Sequence, residues 1–271
     1  VLSVLENLHQ LSFIYLKNSI SQHDLSEANS INELVIRNAA IFAGHIPGRG
    51  ISSTGNLRII VKSDVELDKE LQGGRITFNN RSRLRNKSNG LDYALNLGQE
   101  TLTYYVTPNT KIFLPIIQGK FKTTNFTGTG EQNQSVQISL SGNEDIENFN
   151  YEVLVNGTFW STKKHLYDLR PDEESCIVRT GFNGGIDVIF GNGGFGKIPP
   201  LGSIISITYL VTQGSDGNIF RRTFNDWNFT DDAIDGLGNS VDPSKIFDVY
   251  IYNDINFGAN KESIIFTKNI L

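Results

Sequence analysis

IDVIFGNGGFGKIPPLGSIISITY, residues 186–209, is the stretch whose reading decides the fold. An apolar run, Ile186 to Phe190, meets a glycine-rich turn and two prolines, Pro199 and Pro200. A second run follows, Ile204 to Tyr209, in which polar and apolar residues partly alternate. Such a unit suits a sheet edge or a hairpin corner better than a catalytic pocket, and it predicts two strands joined by a compact glycine turn. Phe195, the one bulky residue within the turn, is expected to pack over or beside the neighbouring strands. The continuation VTQGSDGNIF carries Asp216-Gly217 between two strand-like runs, a strong short-range turn signal.

Gly191, Gly193 and Gly196 also satisfy the dinucleotide string G-x-G-x-x-G. That fingerprint works only where the glycines open a helix whose free N–H groups meet the pyrophosphate. Here Lys197-Ile198-Pro199-Pro200 follows and cannot open a helix in that way. The glycines are read instead as turn residues that supply positive φ and close backbone approach.

Upstream of this stretch the pattern is that of a β-domain over about 111–222. Lys111 to Lys120 is strand-like, with Pro115 expected to confine it to an edge or a bulge. Phe121 to Gln134 reads as a polar connector, and Ser135 to Leu140 alternates strictly, as a half-buried strand does. Tyr151 to Val155 and Thr158 to Trp160 flank Asn156-Gly157, a favoured two-residue hairpin turn. Ser175 to Arg179 is the next strand, and Asn183-Gly184 turns the chain into the opening stretch.

The first 45 residues have a helical period instead. Val1, Val4, Leu5, Leu8, Leu11 and Tyr15 share one face, and Asp24-x-x-Glu27 and Ser30-x-x-Glu33 resemble capping boxes ahead of a second helix. Two such helices are too small for a core of their own and need something to pack against. Gly44 to Gly55 reads as a hinge and a domain boundary. A β-rich module over 46–110 follows, with Leu57 to Lys62, Arg75 to Phe78 and Tyr93 to Val106 as strands. Within it Arg81, Arg83, Arg85 and Lys87 alternate with Ser82, Leu84 and Asn86, so an extended chain puts four cations on one face. Without interleaved aromatics this lacks the stacking platform of a single-strand nucleic-acid binder, and it is read as a solvated face or a docking patch for an acidic protein.

After Arg222 the chain turns aromatic and acidic, and 223–271 forms a last α/β or β-rich segment, possibly incomplete at its end. Asp231, Asp235, Gly236 and Asp242 fall at calcium-loop positions one, five, six and twelve, but Ala233 occupies the third, where an oxygen ligand is required, and flanking amphipathic helices are missing. The fold class is therefore α+β, mostly β: an amino-terminal helical segment followed by mainly antiparallel β-domains.

A net charge of −5 implies no global attraction to nucleic acid or to an anionic membrane. No apolar run is long enough to cross a bilayer, and no signal-peptide pattern is present. The single cysteine, Cys176, excludes an intrachain disulfide framework and sits in an apolar strand context, as a buried small hydrophobe does. The absence of methionine, even at position 1, suggests an excerpt or a processed product. His9, His23 and His45 lack a second metal ligand beside them. His165 lies near Asp168 without a third partner, and Glu173-Glu174 and Asp231-Asp232 read as surface pairs. No nucleophile elbow, zinc-hydrolase motif or Walker lysine occurs, so no enzyme activity, cofactor or metal site is expected.

The stretch from Asp187 to Phe220 resembles the signature of the baseplate J-like family, wedge subunits of contractile-tailed bacteriophages and related contractile injection systems. Phe190, Gly191, Asn192, Gly193 and Gly196 match its F-G-[DN]-G-x-x-G phrase, with Pro199 or Pro200 as its proline. Gly202, Ile205, Ile207 and Tyr209 match its G-x-x-[IV]-x-[IV]-x-Y strand, and Thr212, Gly214, Gly217 and Asn218 match its closing T-x-G-x-x-G-N phrase. Asn192 stands where the family often has Asp. The leucine-rich first helix, Gly44-His45-Ile46-Pro47 and Trp160 look like parts of the family's layout, so the likeness covers about 1–222, most specifically 186–220. The resemblance implies a structural subunit, with no active site, in the virion tail baseplate and assembled in the host cytoplasm. Its partners would be a second copy within the wedge, other wedge proteins and neighbouring wedges in a ring that rearranges when the sheath contracts, with no nucleic acid and no membrane insertion. A change of angle is expected at 44–55. The alternative is a tail-associated glycan-binding or glycan-hydrolysing β-domain, which predicts a concave row of aromatics and acids.

Overall fold

The computed structural model describes residues 36, 40, 45, 48–140, 144–181, 185–220 and 227–263. The helices expected over the first 45 residues therefore lie outside the described residues, apart from Ile36 and Ala40, which are helical and buried. So does the Asn183-Gly184 turn.

The described chain is mostly β. Its strands are β1 Thr54–Val61, β2 Arg75–Asn79, β3 Arg83–Asn86, β4 Asp92–Leu95, β5 Thr101–Tyr105, β6 Lys111–Gln118, β7 Lys120–Thr127 and β8 Ser135–Ile138. They continue as β9 Asp145–Val155, β10 Thr158–Lys163, β11 Ser175–Thr180, β12 Ile186–Phe190, β13 Ile204–Thr212, β14 Trp227–Phe229, β15 Ala233–Asp235, β16 Ser240–Val241 and β17 Phe247–Ile251. Two single-turn helices accompany them, α1 Leu67–Glu70 and α2 Pro243–Ile246.

The chain forms two compact units, and neither is one continuous segment. The first takes the described residues up to Gly50, Thr123–Thr208 and the residues from Lys261. The second takes Ile51–Lys122 and Tyr209–Asn260. The linear division at 110 and 222 does not follow these units. The six-stranded sheet β14-β3-β4-β6-β1-β17 draws on all three β segments expected from the sequence, because strand pairing joins residues far apart in the chain.

In the first unit a seven-stranded sheet runs β7-β13-β9-β10-β11-β12-β8, with the ends of β7 and β13 reaching into the second. The Asn156-Gly157 hairpin is as expected: Val155 pairs with Thr158, and both turn residues have positive φ, 49° and 79°. β9 pairs antiparallel with β10, and β12 antiparallel with β11 and β8, whereas β10 and β11 run parallel, with Thr162 opposite Cys176. Three expectations are corrected here. The opening stretch is no hairpin, since β12 pairs with β11 and β8 while β13 lies between β7 and β9, so its glycine turn begins a crossover. Nor does Asp216-Gly217 close one: Gly214–Gly217 is a single 3-10 turn, after which Ile219 bridges to Ile255. Much of the supposed connector at 121–134 is strand β7, whose threonines and phenylalanines suit a pleated edge.

The second unit holds the six-stranded sheet and a smaller one, β16-β15-β2-β5. Pro115 was expected on an edge, yet β6 lies between β4 and β1. Its carbonyl accepts the N–H of Asn96, one residue beyond the end of β4, so its missing N–H falls where the ladder has already stopped. Side chains from both sheets meet in one apolar cluster. Phe78 stacks on Phe229 at 5.7 Å and meets Tyr104 and Phe247, and Tyr93 meets Trp227 edge-on at 4.9 Å. α2 is started by Asp242, whose side chain accepts the N–H of Ser244, with Pro243 at the first helical position.

The stretch expected as a hinge is fastened within each unit. Glu262 N–H donates to Gly48 O and Asn148 N–H to Gly50 O in the first, while Ile51 exchanges both backbone bonds with Ala259 in the second. The chain passes from one unit to the other between Gly50 and Ile51.

Because Phe78 is 1% exposed and central to the aromatic cluster, Phe78→Ala should destabilise the second unit by about 3–5 kcal/mol. Urea unfolding followed by tryptophan fluorescence checks this; a loss below about 1 kcal/mol contradicts the packing described.

Candidate functional site

The signature residues divide between the two units, and in each they act on the backbone around them. In the first unit Phe190 ends β12 fully buried, with its ring edge-on to Trp160 at 5.4 Å. Gly191 follows because nothing larger fits: a Cβ there would lie 2.2 Å from the carbonyl group of Gly196. Asn192 then folds the turn with its side chain, Oδ1 accepting the N–H groups of Gly194 at 2.9 Å and Phe195 at 2.8 Å. This needs only an acceptor oxygen, which Asn and Asp both supply.

Gly193 and Gly196 have φ of 85° and 75°, and Gly196 N–H donates to Arg170 O. Phe195 does not cover the strands; it lies 39% exposed and meets Tyr167 edge-on. Pro199 is buried and Pro200 exposed, and the next turn is held by Ser203 N–H to Pro200 O and Gly202 N–H to Gly128 O. Gly202 sits in open space with φ 75°, so conformation and not room selects it.

In the second unit the closing phrase forms a polar knot. Tyr209 is buried in β13. Thr212 is fully buried and its hydroxyl donates to Gln118 Oε1 at 2.7 Å, while the same oxygen accepts Gln213 N–H. Gly214 and Gly217 lie where a Cβ would come within 2.4 Å of Asn260 Oδ1 and 2.5 Å of Gln118 Cγ. Asn218 closes the knot: Oδ1 accepts Ser53 Oγ–H at 3.0 Å and Gly258 N–H at 2.9 Å, and Nδ2 donates to Gly258 O at 3.1 Å. The Tyr93 hydroxyl donates to Gly217 O, and burial pushes its pKa up to about 12. The polar atoms of this phrase are thus turned on nearby backbone and on the side chains of Gln118 and Ser53.

The four cations of the docking patch do alternate with buried Ser82, Leu84 and Asn86. Two of them are matched by acids. Arg83 holds Asp231 through Nε and Nη2, the latter at 2.6 Å, and Arg85 lies 3.6 Å from Asp92. Arg81 rests over the Phe121 ring at 4.6 Å, and Lys87 is exposed. The first acid of the calcium-like string is thereby engaged. Asp235 caps its own turn, accepting N–H groups of Leu237 and Asn239. Among the described residues no group of three metal-ligating side chains forms. Cys176 is buried, and desolvation pushes its thiol up to about 12, so it is no nucleophile at neutral pH. His165 meets Asp168 through its backbone, the N–H donating to Asp168 Oδ2 and the carbonyl accepting Asp168 N–H, whereas His45, far from Glu262 in sequence, reaches both its carboxylate oxygens at 2.8 and 3.0 Å.

Sequence reasoning missed a cavity of about 510 Å3 in the first unit, whose lining includes Arg49, Phe149, Tyr151, Lys164 and His165. Its residues come from four separated stretches, and the only local hint was the run Lys163-Lys164-His165. A comparison of the chain with protein-family models finds no match, and one with curated proteins finds none either.

Two substitutions separate space from conformation in the signature turn. Gly191→Ala forces a side chain into backbone and should cost about 1–3 kcal/mol or more, while Gly194→Ala, exposed and with only Asn192 Oδ1 at 3.4 Å, should stay within about 0.5 kcal/mol. Equal effects in thermal unfolding would contradict the close approach.

The Arg83–Asp231 pair makes a pH prediction. The side-chain hydrogen bond from Arg83 holds the Asp231 carboxyl below its usual range, so its contribution is present above the unfolded carboxylate pKa and is lost as pH falls through the lower folded value. The stability difference between the native chain and Asp231→Ala should therefore be largest near neutrality and shrink below about pH 4. Urea unfolding at a series of pH values measures it, and a difference that grows on acidification would refute the assignment.

Proposed function

We propose that this chain is a structural subunit of the baseplate wedge of a contractile tail, joining wedges into a ring around the tail axis and taking part in the rearrangement that triggers sheath contraction. The reading rests on the order-preserving likeness of Asp187 to Phe220 to the baseplate J-like signature. One structural observation carries it: the signature residues spend their side chains, or their lack of one, on contacts within the chain, with backbone at Gly191 and Asn192 and with neighbouring side chains at Phe190, Thr212 and Asn218. That is what a motif kept for shape does, and a catalytic motif would present polar atoms to a pocket.

In this reading the amino-terminal helical segment pairs with a second copy and with other wedge proteins, which answers the need of two short helices for something to pack on. Within the row proposed as a docking patch for an acidic partner surface, Lys87 is exposed, while Arg83 and Arg85 face Asp231 and Asp92 and Arg81 rests over Phe121. The change of angle during contraction is assigned to 44–55, the stretch in which the chain passes from one unit to the other between Gly50 and Ile51. The cavity in the first unit has no carboxylate in its lining, which disfavours it as the acid pair of a glycan hydrolase.

Immunogold electron microscopy of particles from the source, with antibody raised against residues 111–222, tests the proposal. Gold at the tail end beneath the sheath, on intact or disrupted particles, is the expected outcome. Gold on distal fibres or on the capsid, or none after disruption, would overturn it.

A further inference from the structure

The cavity in the first unit has the makings of a ligand site that the structural role does not use. Register explains where it comes from. Val153 pairs with Trp160 and Thr162 with Cys176, so these side chains share one face of the sheet. Alternation carries that face outward to Tyr151 and Phe149 on β9, to Lys164 just past β10, and to Val178 and Thr180 on β11. The inner end of the face is buried core, with Val153, Trp160 and Cys176 each at most 2% exposed, while at the outer end Phe149 is 70% exposed. The core face thus runs out into an open, half-apolar concavity, whose 510 Å3 lies in the range of small-molecule pockets.

Four cations line it, Arg49, Lys163, Lys164 and Arg179, and among the described residues no lining residue is acidic. Three of them have a carboxylate at hand: Glu173 pairs with Lys163 at 2.6 Å, Asp187 lies across the ladder from Arg179, and Glu147, which accepts the N–H groups of Phe149 and Asn150, acts electrostatically on Arg49. Lys164 has no ion pair among the described residues and is exposed. Arg49 is 5% exposed, sits 5.4 Å over the Tyr151 ring, and gives one Nη2 hydrogen bond to Asn148 O, leaving Nε buried without a partner. Arg49 is among the residues that line the cavity, where its guanidinium can meet an anionic oxygen.

We propose that this cavity binds a small anionic sugar, a sugar acid or a sugar phosphate, with Arg49 and Lys164 holding the anion and Tyr151 and Phe149 flanking the ring. The site is a binding site, with no bond made or broken, and it does not depend on the baseplate reading. Carboxylate and phosphate present the same oxygen chemistry to a guanidinium fork, and the two sources are told apart by the ligand that binds.

Isothermal titration of the whole chain with glucuronic acid, glucose 6-phosphate, glucose and inorganic phosphate tests it. Saturable binding of either anionic sugar is expected, at least about tenfold tighter than glucose or inorganic phosphate. Lys164→Glu and Phe149→Ala, both at exposed positions, should each weaken it about tenfold with circular dichroism unchanged. Absence of saturable binding by both anionic sugars would overturn the proposal. So would glucose or inorganic phosphate binding as tightly as the anionic sugar, or affinity unchanged in both variants.

Discussion

The second unit depends on how closely backbone may approach backbone at the end of β13. Gly214, Gly217 and Gly258 lie where any Cβ would collide with Asn260, Gln118, Ser53 or Gly214, and the space left is filled by hydrogen bonds centred on Asn218. Close approach and polar satisfaction are one constraint here. Groups this buried must find partners in the chain, and they reach them only because no side chains stand between. The knot holds residues 51–55 beside 256–260 and so fixes where β1 enters the sheet, next to β6 and β17.

The first unit repeats the device at the start of the signature. Gly191 against Gly196 folds the turn tightly, Asn192 supplies the acceptor that closes it, and Phe190 anchors it to Trp160 in the core. Both halves of the signature therefore work through shape. This supports a structural role for the chain, and it places the ligand chemistry proposed here away from the motif, at the outer end of the β9–β10–β11 face.

The basic row shows how tertiary pairing changes the meaning of charge. Alternation places Arg81, Arg83, Arg85 and Lys87 on the exposed side, as their spacing requires. Asp231, 148 residues beyond Arg83, then takes up its guanidinium, and Asp92 lies beside Arg85. What reads as four like charges becomes a surface of mixed charge.

Local chemistry was legible in the sequence by itself. Alternation and apolar runs gave β2 and β11 to within one residue and β1 and β8 to within three; Asn156-Gly157 gave its hairpin, and the apolar setting of Cys176 gave a buried, inert thiol. Those features are set by a few neighbouring residues, through side-chain alternation and the φ values that a turn demands. Which strands become neighbours was decided only by the tertiary structure. The glycine turn after Phe190 looks like a hairpin because turn chemistry is local, yet it leads to a crossover, since β12 completes its ladder with β8 and β11. Pro115 looks like an edge residue because its missing N–H is local, yet it is tolerated centrally where β4 ends one residue short. The cavity lay beyond sequence reading for the same reason: Arg49, Tyr151 and Lys164 are brought together by sheet register and backbone pairing, which no single stretch of the chain encodes.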